Sequence, residues 1–115
     1  MDPADYLPLT PQVFHVLLAL ADEEKHGYAI LKEVETRTGG NVQLSTGTLY
    51  AIIKRLLMDG AIEEIGSRID GDDERRRYYR LTAFGRKIAA AEAARMSELV
   101  ASARRKKLIG KPRPA

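Results

Sequence analysis

The hydrophobic period of the chain changes at Gly60. Before it, apolar residues recur at the three-to-four spacing of amphipathic helices; just after it they fall in short clusters around a glycine- and charge-rich centre; from Thr82 the helical spacing returns. Helices, then a pair of strands, then a further helix is the order these periods specify, and few small folds accommodate it.

Thr10-Pro11 is a helix start, an N-cap followed by proline at the first helical position, and Val13, Phe14, Val16, Leu17, Leu18 and Leu20 give helix one a broad apolar surface as far as Ala21. The polar break from Asp22 to His26 precedes "GYAILKEVETRT", where Tyr28, Ile30, Leu31 and Val34 repeat helically until Gly39-Gly40, so helix two covers 27–38. A third helix over 45–58 stops at Asp59-Gly60. Ala61, Ile62 and Ile65, then Tyr78, Tyr79 and Leu81, read as two short strands joined by a long loop. Beyond Thr82, Phe84, Ile88, Ala91, Met96, Leu99 and Ala103 draw a drifting apolar stripe along one long helix, which frays at "GKPRPA". A helix this long and only half apolar has little to cover inside so small a domain, and needs a partner surface.

The third helix is the most informative. In "LSTGTLYAIIKRLLMDGAIEE", residues 44–64, Leu49, Ile53 and Leu56 form a core stripe that Ile52 widens, while Gly47, Tyr50, Ala51 and Lys54 gather opposite. Ser45 alone serves as N-cap; Thr46, Gly47 and Thr48 are not needed for that. The segment is either an ordinary amphipathic helix with a solvated back or one shaped for close approach to a large partner. In the second case its free N–H groups and dipole favour anions such as phosphate.

Composition narrows the function. With 115 residues the chain is one domain, and a monomer of that size buries only about two-thirds of its unfolded surface, so pairing is a plausible source of extra core. The net charge is +3, but residues 1–40 carry three Lys/Arg against seven Asp/Glu, whereas 84–115 carry nine against two. The basic end suggests a polyanionic partner, although Arg104 to Lys107 also complement a helix C-terminus. The absence of cysteine excludes thiolate chemistry, disulfides and cysteine-based zinc sites. No apolar run approaches the roughly 20 residues of a bilayer span, and Asp2 and Asp5 are unlike a cationic leader, so a cytoplasmic protein without membrane contact is expected. Catalysis is not expected, nor a cofactor or metal. His15 lies in the apolar run of helix one and reads as packed or interfacial, His26 reads as a helix-start residue, the acidic residues read as scattered or solvated, and Ser45 lacks a base. "DGDDE" fails as a calcium loop, because Leu81 stands where the bidentate glutamate belongs.

Four stretches, "HGYAI" at 26–30, "LSTGTLYAIIKRL" at 44–56, "DGAIE" at 59–63 and "ERRRYYRLTAFGR" at 74–86, together resemble the PadR family of winged-helix transcriptional regulators, in order over residues 10–100. The resemblance implies a mainly α fold with a small β-hairpin: a winged helix-turn-helix over 1–83, a C-terminal dimerisation helix over 84–108 that packs on helix one of a second subunit, and a basic tail over 109–115. It is the pattern of the short subfamily with a single C-terminal helix. The recognition helix maps onto Ser45 to Arg55, with Ser45, Thr46, Thr48, Tyr50, Lys54 and Arg55 expected to meet DNA. The wing maps onto Gly66 to Tyr79 and contributes Arg75, Arg76, Arg77 and Tyr79. Thr46 replaces the proline common in the family's "SPGTLY" pattern, and the acidic cluster Asp70, Asp72, Asp73 and Glu74 departs from a phosphate-facing wing, either tipping into solvent or pairing with the arginines.

The implied function is a sequence-specific DNA-binding transcriptional regulator, a repressor on an inverted-repeat operator, acting as a homodimer. The alternative is a winged helix used for protein–protein interaction. A small apolar or aromatic effector at the dimer interface is a further expectation. In a drug-binding member of the family a tryptophan on the C-terminal helix stacks on planar ligands, and the equivalent place here is Met96. That residue reads as interface packing or as flexible lining. The dimer and pocket residues expected are Phe14, His15, Leu18, Met96, Leu99 and Val100.

Overall fold

Each α-helix of the chain begins on a side chain that accepts a first-turn N–H. Thr10 Oγ1 accepts from Val13 N at 3.2 Å, His26 Nδ1 from Ala29 N at 3.1 Å, Ser45 Oγ from Thr48 N at 3.0 Å and Thr82 Oγ1 from Gly85 N at 3.0 Å. Such caps satisfy donors that have no partner inside the helix. The computed structural model describes residues 1–70 and 74–111, with side chains placed for all of these except 68–70, 74 and 75. A 3₁₀ turn at Pro3–Tyr6 leads into α1 (Pro11–Ala19), β1 (Lys25–His26), α2 (Gly27–Arg37), α3 (Thr46–Met58), β2 (Ile62–Asp70), β3 (Glu74–Leu81) and α4 (Ala83–Arg105). α3 stops where the sequence places a stop: Gly60 takes φ +75°, and Ala61 N and Gly60 N return to the carbonyls of Leu56 and Leu57 at 2.9 and 3.1 Å. The left-handed glycine closes the last turn and redirects the chain into β2.

Two expectations about the sheet are corrected. It has three antiparallel strands in the order β1-β3-β2, because Lys25 and His26 pair with Tyr79 and Tyr78. The hairpin is also mostly strand, nine residues in β2 and eight in β3, where a long loop was expected. A bulge between Glu64 and Ser67, with Gly66 at φ +113°, absorbs one extra residue and increases the local twist. α1 ends at Ala19, slightly before the expected Ala21.

The core lies among α1, α2, α3, the base of the hairpin and the first turns of α4, with Leu17, Leu20, Ile30, Val34, Leu49, Ile53, Ile62 and Ile88 buried. Gly85 presses α4 against the backbone of Ala61, where an added Cβ would lie 1.8 Å from the Ala61 carbonyl oxygen. Beyond the third turn α4 leaves the core, and Leu99 and Val100 are 57% and 43% exposed. This is a winged helix carrying one long C-terminal helix.

Two ionic residues are interior. Glu92, expected to be solvated like the other acids, is fully buried; it accepts from Leu9 N at 2.6 Å and pairs with Arg95. The Arg95 hydrogen bond holds its carboxyl below the ordinary value of 4.5 against the opposing effect of burial, and the Leu9 N–H adds to it. Lys25 is buried too, with Nζ 2.6 Å from the Ala19 carbonyl, 2.7 Å from Asp22 and 3.3 Å from Glu33. Burial works against its charge, but the hydrogen bonds to Asp22 and Glu33 prevail and raise its pKa. Among the described residues no helix is long and apolar enough to cross a membrane, and no cluster of three or more His, Asp or Glu could hold a metal.

Candidate nucleic-acid interface

α3 turns Leu49, Ile53 and Leu56 into the core and leaves Ser45, Thr46, Gly47, Tyr50, Ala51, Lys54 and Arg55 exposed, with Thr48 half-buried. Ser45 is largely committed to the helix end, since its hydroxyl caps Thr48 N and donates to Thr48 Oγ1 at 2.9 Å. Tyr50 reaches across to the start of α2. Its hydroxyl sits where a Cβ on Gly27 would be 2.6 Å away, so the glycine makes room for the phenol.

From the other side β3 brings in Arg76 and Arg77. The Arg76 guanidinium lies 5.4 Å from the centroid of the Tyr28 ring, and its Nη1 is 3.4 Å from His26 Nδ1. His26 in turn stacks on Tyr28 at 6.5 Å and meets Tyr78 edge-on at 5.3 Å. The outcome is an open cleft of about 530 Å³ lined by His26, Gly27, Tyr28, Tyr50, Arg76, Arg77 and Tyr79. One wall is the N-terminus of α2, whose dipole favours anions, and the other carries two guanidinium groups. Opposing charge comes from β2: Glu64 lies 3.8 Å from Arg77 Nε, and Glu63 holds Arg80 at 2.6 Å. Arg77 remains 73% exposed despite that neighbour, so it stays free to exchange the carboxylate for another anion.

The structure therefore gathers Tyr50, Arg76 and Arg77 from the expected set and adds His26, Gly27 and Tyr28, which sequence reasoning had assigned only to the start of a helix. Their signal lay in "HGY": a glycine in the first turn of a helix gives up helix propensity, which is useful where another side chain must come close, as Tyr50 does. Tyr79 is a correction. It was expected at the DNA surface, yet it is 3% exposed and belongs to the core, forming the floor of the cleft, with its phenol pKa raised by burial first and by Glu64 next. The alternation along β3, fixed by pairing with β1 and β2 on both sides, turns it inward. Arg55 does not join the cleft; it pairs with Asp59 at 3.3 Å on the far flank of α3. The side chains of Arg75, Asp70 and Glu74, together with Asp72 and Asp73, lie outside the described residues.

The residues expected at a dimer seam sit on two elements that pack on each other, α1 and α4. Phe14, His15, Leu18 and Met96 are half-buried, while Leu99 and Val100 are exposed. Arg37 from α2 bonds the His15 carbonyl at 2.9 Å and lies 3.1 Å from its Nδ1; burial and then this guanidinium lower the histidine's pKa.

Comparison with known proteins bears on family and fold. Residues 16–91 match the transcriptional regulator PadR-like family. A transcriptional regulator of Mycobacterium tuberculosis is 36% identical over 85 residues, 74% of this chain and 75% of that protein. Among solved structures, a transcriptional regulator from Clostridium thermocellum superposes with a TM-score of 0.67 at 25% identity, over 85% of this chain and 96% of that one. Bacillus subtilis PadR, solved in complex with operator DNA, superposes with a TM-score of 0.63 at 19% identity, over 87% of this chain and 64% of that one, a likeness of fold.

Proposed function

Since the chain belongs to the PadR-like family of transcriptional regulators, we propose that it binds an inverted-repeat DNA operator as a homodimer and represses transcription by occupying it. The observation that carries this reading is the convergence of Tyr50, Arg76 and Arg77 with the α2 N-terminus on one cleft beside the exposed face of α3. A phosphate of the DNA backbone enters the cleft, held by the two arginines and favoured by the α2 dipole, and that contact sets the register of the protein on the duplex. Thr46 and Thr48, at the small N-terminal end of α3, then reach base edges in the major groove, with Lys54 and Tyr50 flanking them. That Bacillus subtilis PadR, on the same fold, was solved in complex with operator DNA supports DNA as the partner.

Residues 1–83 make the DNA-binding unit, α4 within 84–108 joins two copies, and 109–115 form a basic tail. The dimer reading rests on Leu99 and Val100 of α4, which the described residues of the same chain leave exposed. A small apolar or aromatic effector at that seam would meet half-buried Met96 beside them.

The test is a duplex selected from a random pool by the purified protein, with affinity measured across a salt series. Replacing Arg76 and Arg77 together with alanine lowers affinity for selected and unselected DNA alike, and reduces the log–log salt slope by about 0.9 per lost phosphate contact, close to two in all. Failure to enrich any sequence, or an unchanged slope in the double variant, would count against the assignment.

A further inference from the structure

A second cavity, of about 450 Å³, opens on the opposite flank of α3 from the cleft. Tyr6, Pro8 and Leu9 of the N-terminal strap form one wall, Ile52 and Leu56 of α3 another, and Ile88 of α4 lies at the bottom. The strap is held in place. Leu9 N donates to the buried Glu92 carboxylate at 2.6 Å, and the Tyr6 ring packs edge-on against Phe84 at 5.6 Å. The space is therefore walled by anchored side chains, and it has the volume and apolar character of a small-molecule site.

The rim states which molecule fits. Among the described residues that line the cavity, the two ionised ones are Arg55 and Asp59, and they bridge each other at 3.3 Å. The cavity thus presents no unbalanced charge, and an ionised ligand would lose its hydration without gaining a counter-ion. Thr48 and Arg55, which also line it, stand on the helix expected to enter the major groove, so the cavity wall and the DNA-facing element are one rigid body.

We propose that this cavity binds one small uncharged apolar molecule, of the size of a one- or two-ring aromatic, and that its occupancy changes DNA affinity through α3. Occupancy stands on the cavity alone; the coupling rests on the DNA-binding reading above. The site is separate from the α1–α4 seam, because its walls come from the strap, α3 and the base of α4 within a single chain.

The experiment is a toluene titration of the full-length protein with labelled Ile, Leu and Val methyl groups. Toluene shifts the methyl signals of Ile52, Leu56 and Ile88 saturably and leaves those of Leu99 and Val100 in place, whereas benzoate and benzylammonium at the same concentration move none of them. Ile52→Trp, which fills the space from α3, abolishes the response. Leu9→Phe fills it from the strap and serves the same purpose should the tryptophan variant not fold. Saturating toluene also changes the affinity for the selected duplex by about fivefold or more, a usual size for coupling between two sites, and the filled variants lose that change. No methyl response, shifts centred on Leu99 and Val100, an equal response to benzoate, or a response that survives both filled variants would each overturn the site. Unaltered DNA affinity in a protein whose cavity methyls do shift would overturn the coupling. Should no duplex be selected at all, the DNA-binding reading fails while the methyl signals still decide whether the cavity is occupied.

Discussion

Gly85 and Gly27 both stand where a methyl group would not fit, but the atoms in the way differ, and so do the consequences. At Gly85 the obstacle is the Ala61 carbonyl, 1.8 Å from a built Cβ. That carbonyl also accepts from Thr82 N at 3.1 Å, so it cannot swing aside without opening the junction between sheet and α4. Gly85→Ala should therefore cost about 3 kcal/mol or more, the upper end of overpacking, seen as a lower urea midpoint. At Gly27 the obstacle is the far end of Tyr50, which can move. Gly27→Ala should leave the melting temperature unchanged or slightly higher, alanine being the better helix former, yet weaken DNA binding about tenfold, or 1.4 kcal/mol, by displacing the phenol from the cleft. A variant with full DNA affinity would remove Tyr50 from the interface. Glu92 makes a third, pH-dependent case. Its folded pKa is depressed, chiefly by Arg95, so its contribution is fully present above the ordinary value of 4.5 and is lost as pH falls through the folded pKa. Glu92→Ala strands the Leu9 N–H and should cost about 1 to 3 kcal/mol at pH 7. Glu92→Gln should flatten the acid side of the stability profile; an acid limb as steep as that of the parent would show that the carboxylate is not the titrating group.

The helices were legible because their ends are local chemistry. Thr10-Pro11, Ser45 and Asp59-Gly60 specify a cap, a cap and a stop whatever the rest of the chain does, and each functions as such in the fold. The sheet was less legible because its register is set by residues far apart in the sequence. Lys25 and His26 sit in a polar break with no strand signature, and they become β1 only because β3 offers an edge. With that edge unseen, nothing in "RRRYYRL" shows that Tyr79 is buried as the floor of the cleft instead of exposed on it. The same blindness hid the cleft, whose two walls are the N-terminus of α2 and a strand about fifty residues later. A prediction follows at the level of the hairpin. Glu64 on β2 competes with phosphate for Arg77, so Glu64→Gln should strengthen binding to unselected DNA at low salt. The gain should be modest, within the roughly 0 to 1 kcal/mol of an exposed pair, and should vanish as salt rises. Weaker binding in this variant would mean that the carboxylate positions Arg77 for DNA instead of restraining it.

At the scale of the molecule the deciding fact is where α4 stops belonging to the core. Gly85, Ile88 and Glu92 are buried with the winged helix, so a cut after residue 83 would remove core side chains along with the seam. Beyond them the helix runs on, and the chain spans 53 Å in its longest direction against 26 Å in its shortest. On the dimer proposed above, a second copy would cover Leu99 and Val100, which this part of the helix leaves exposed. The informative change is therefore at those two positions, where the fold of the single chain is not at stake. Leu99→Asp with Val100→Asp should leave the circular dichroism spectrum near that of the parent while converting a dimer to a monomer in sedimentation at micromolar concentration. DNA affinity should fall steeply with it, because two recognition helices joined by a twofold axis read half-sites about 34 Å apart together, and one alone retains only its own contacts. A footprint on the selected duplex should accordingly span two inverted half-sites in the parent and shrink or disappear in the variant. A double aspartate protein that remains dimeric and protects both half-sites would place the subunit contact elsewhere, on the half-buried face of α1 that carries Phe14 and Leu18.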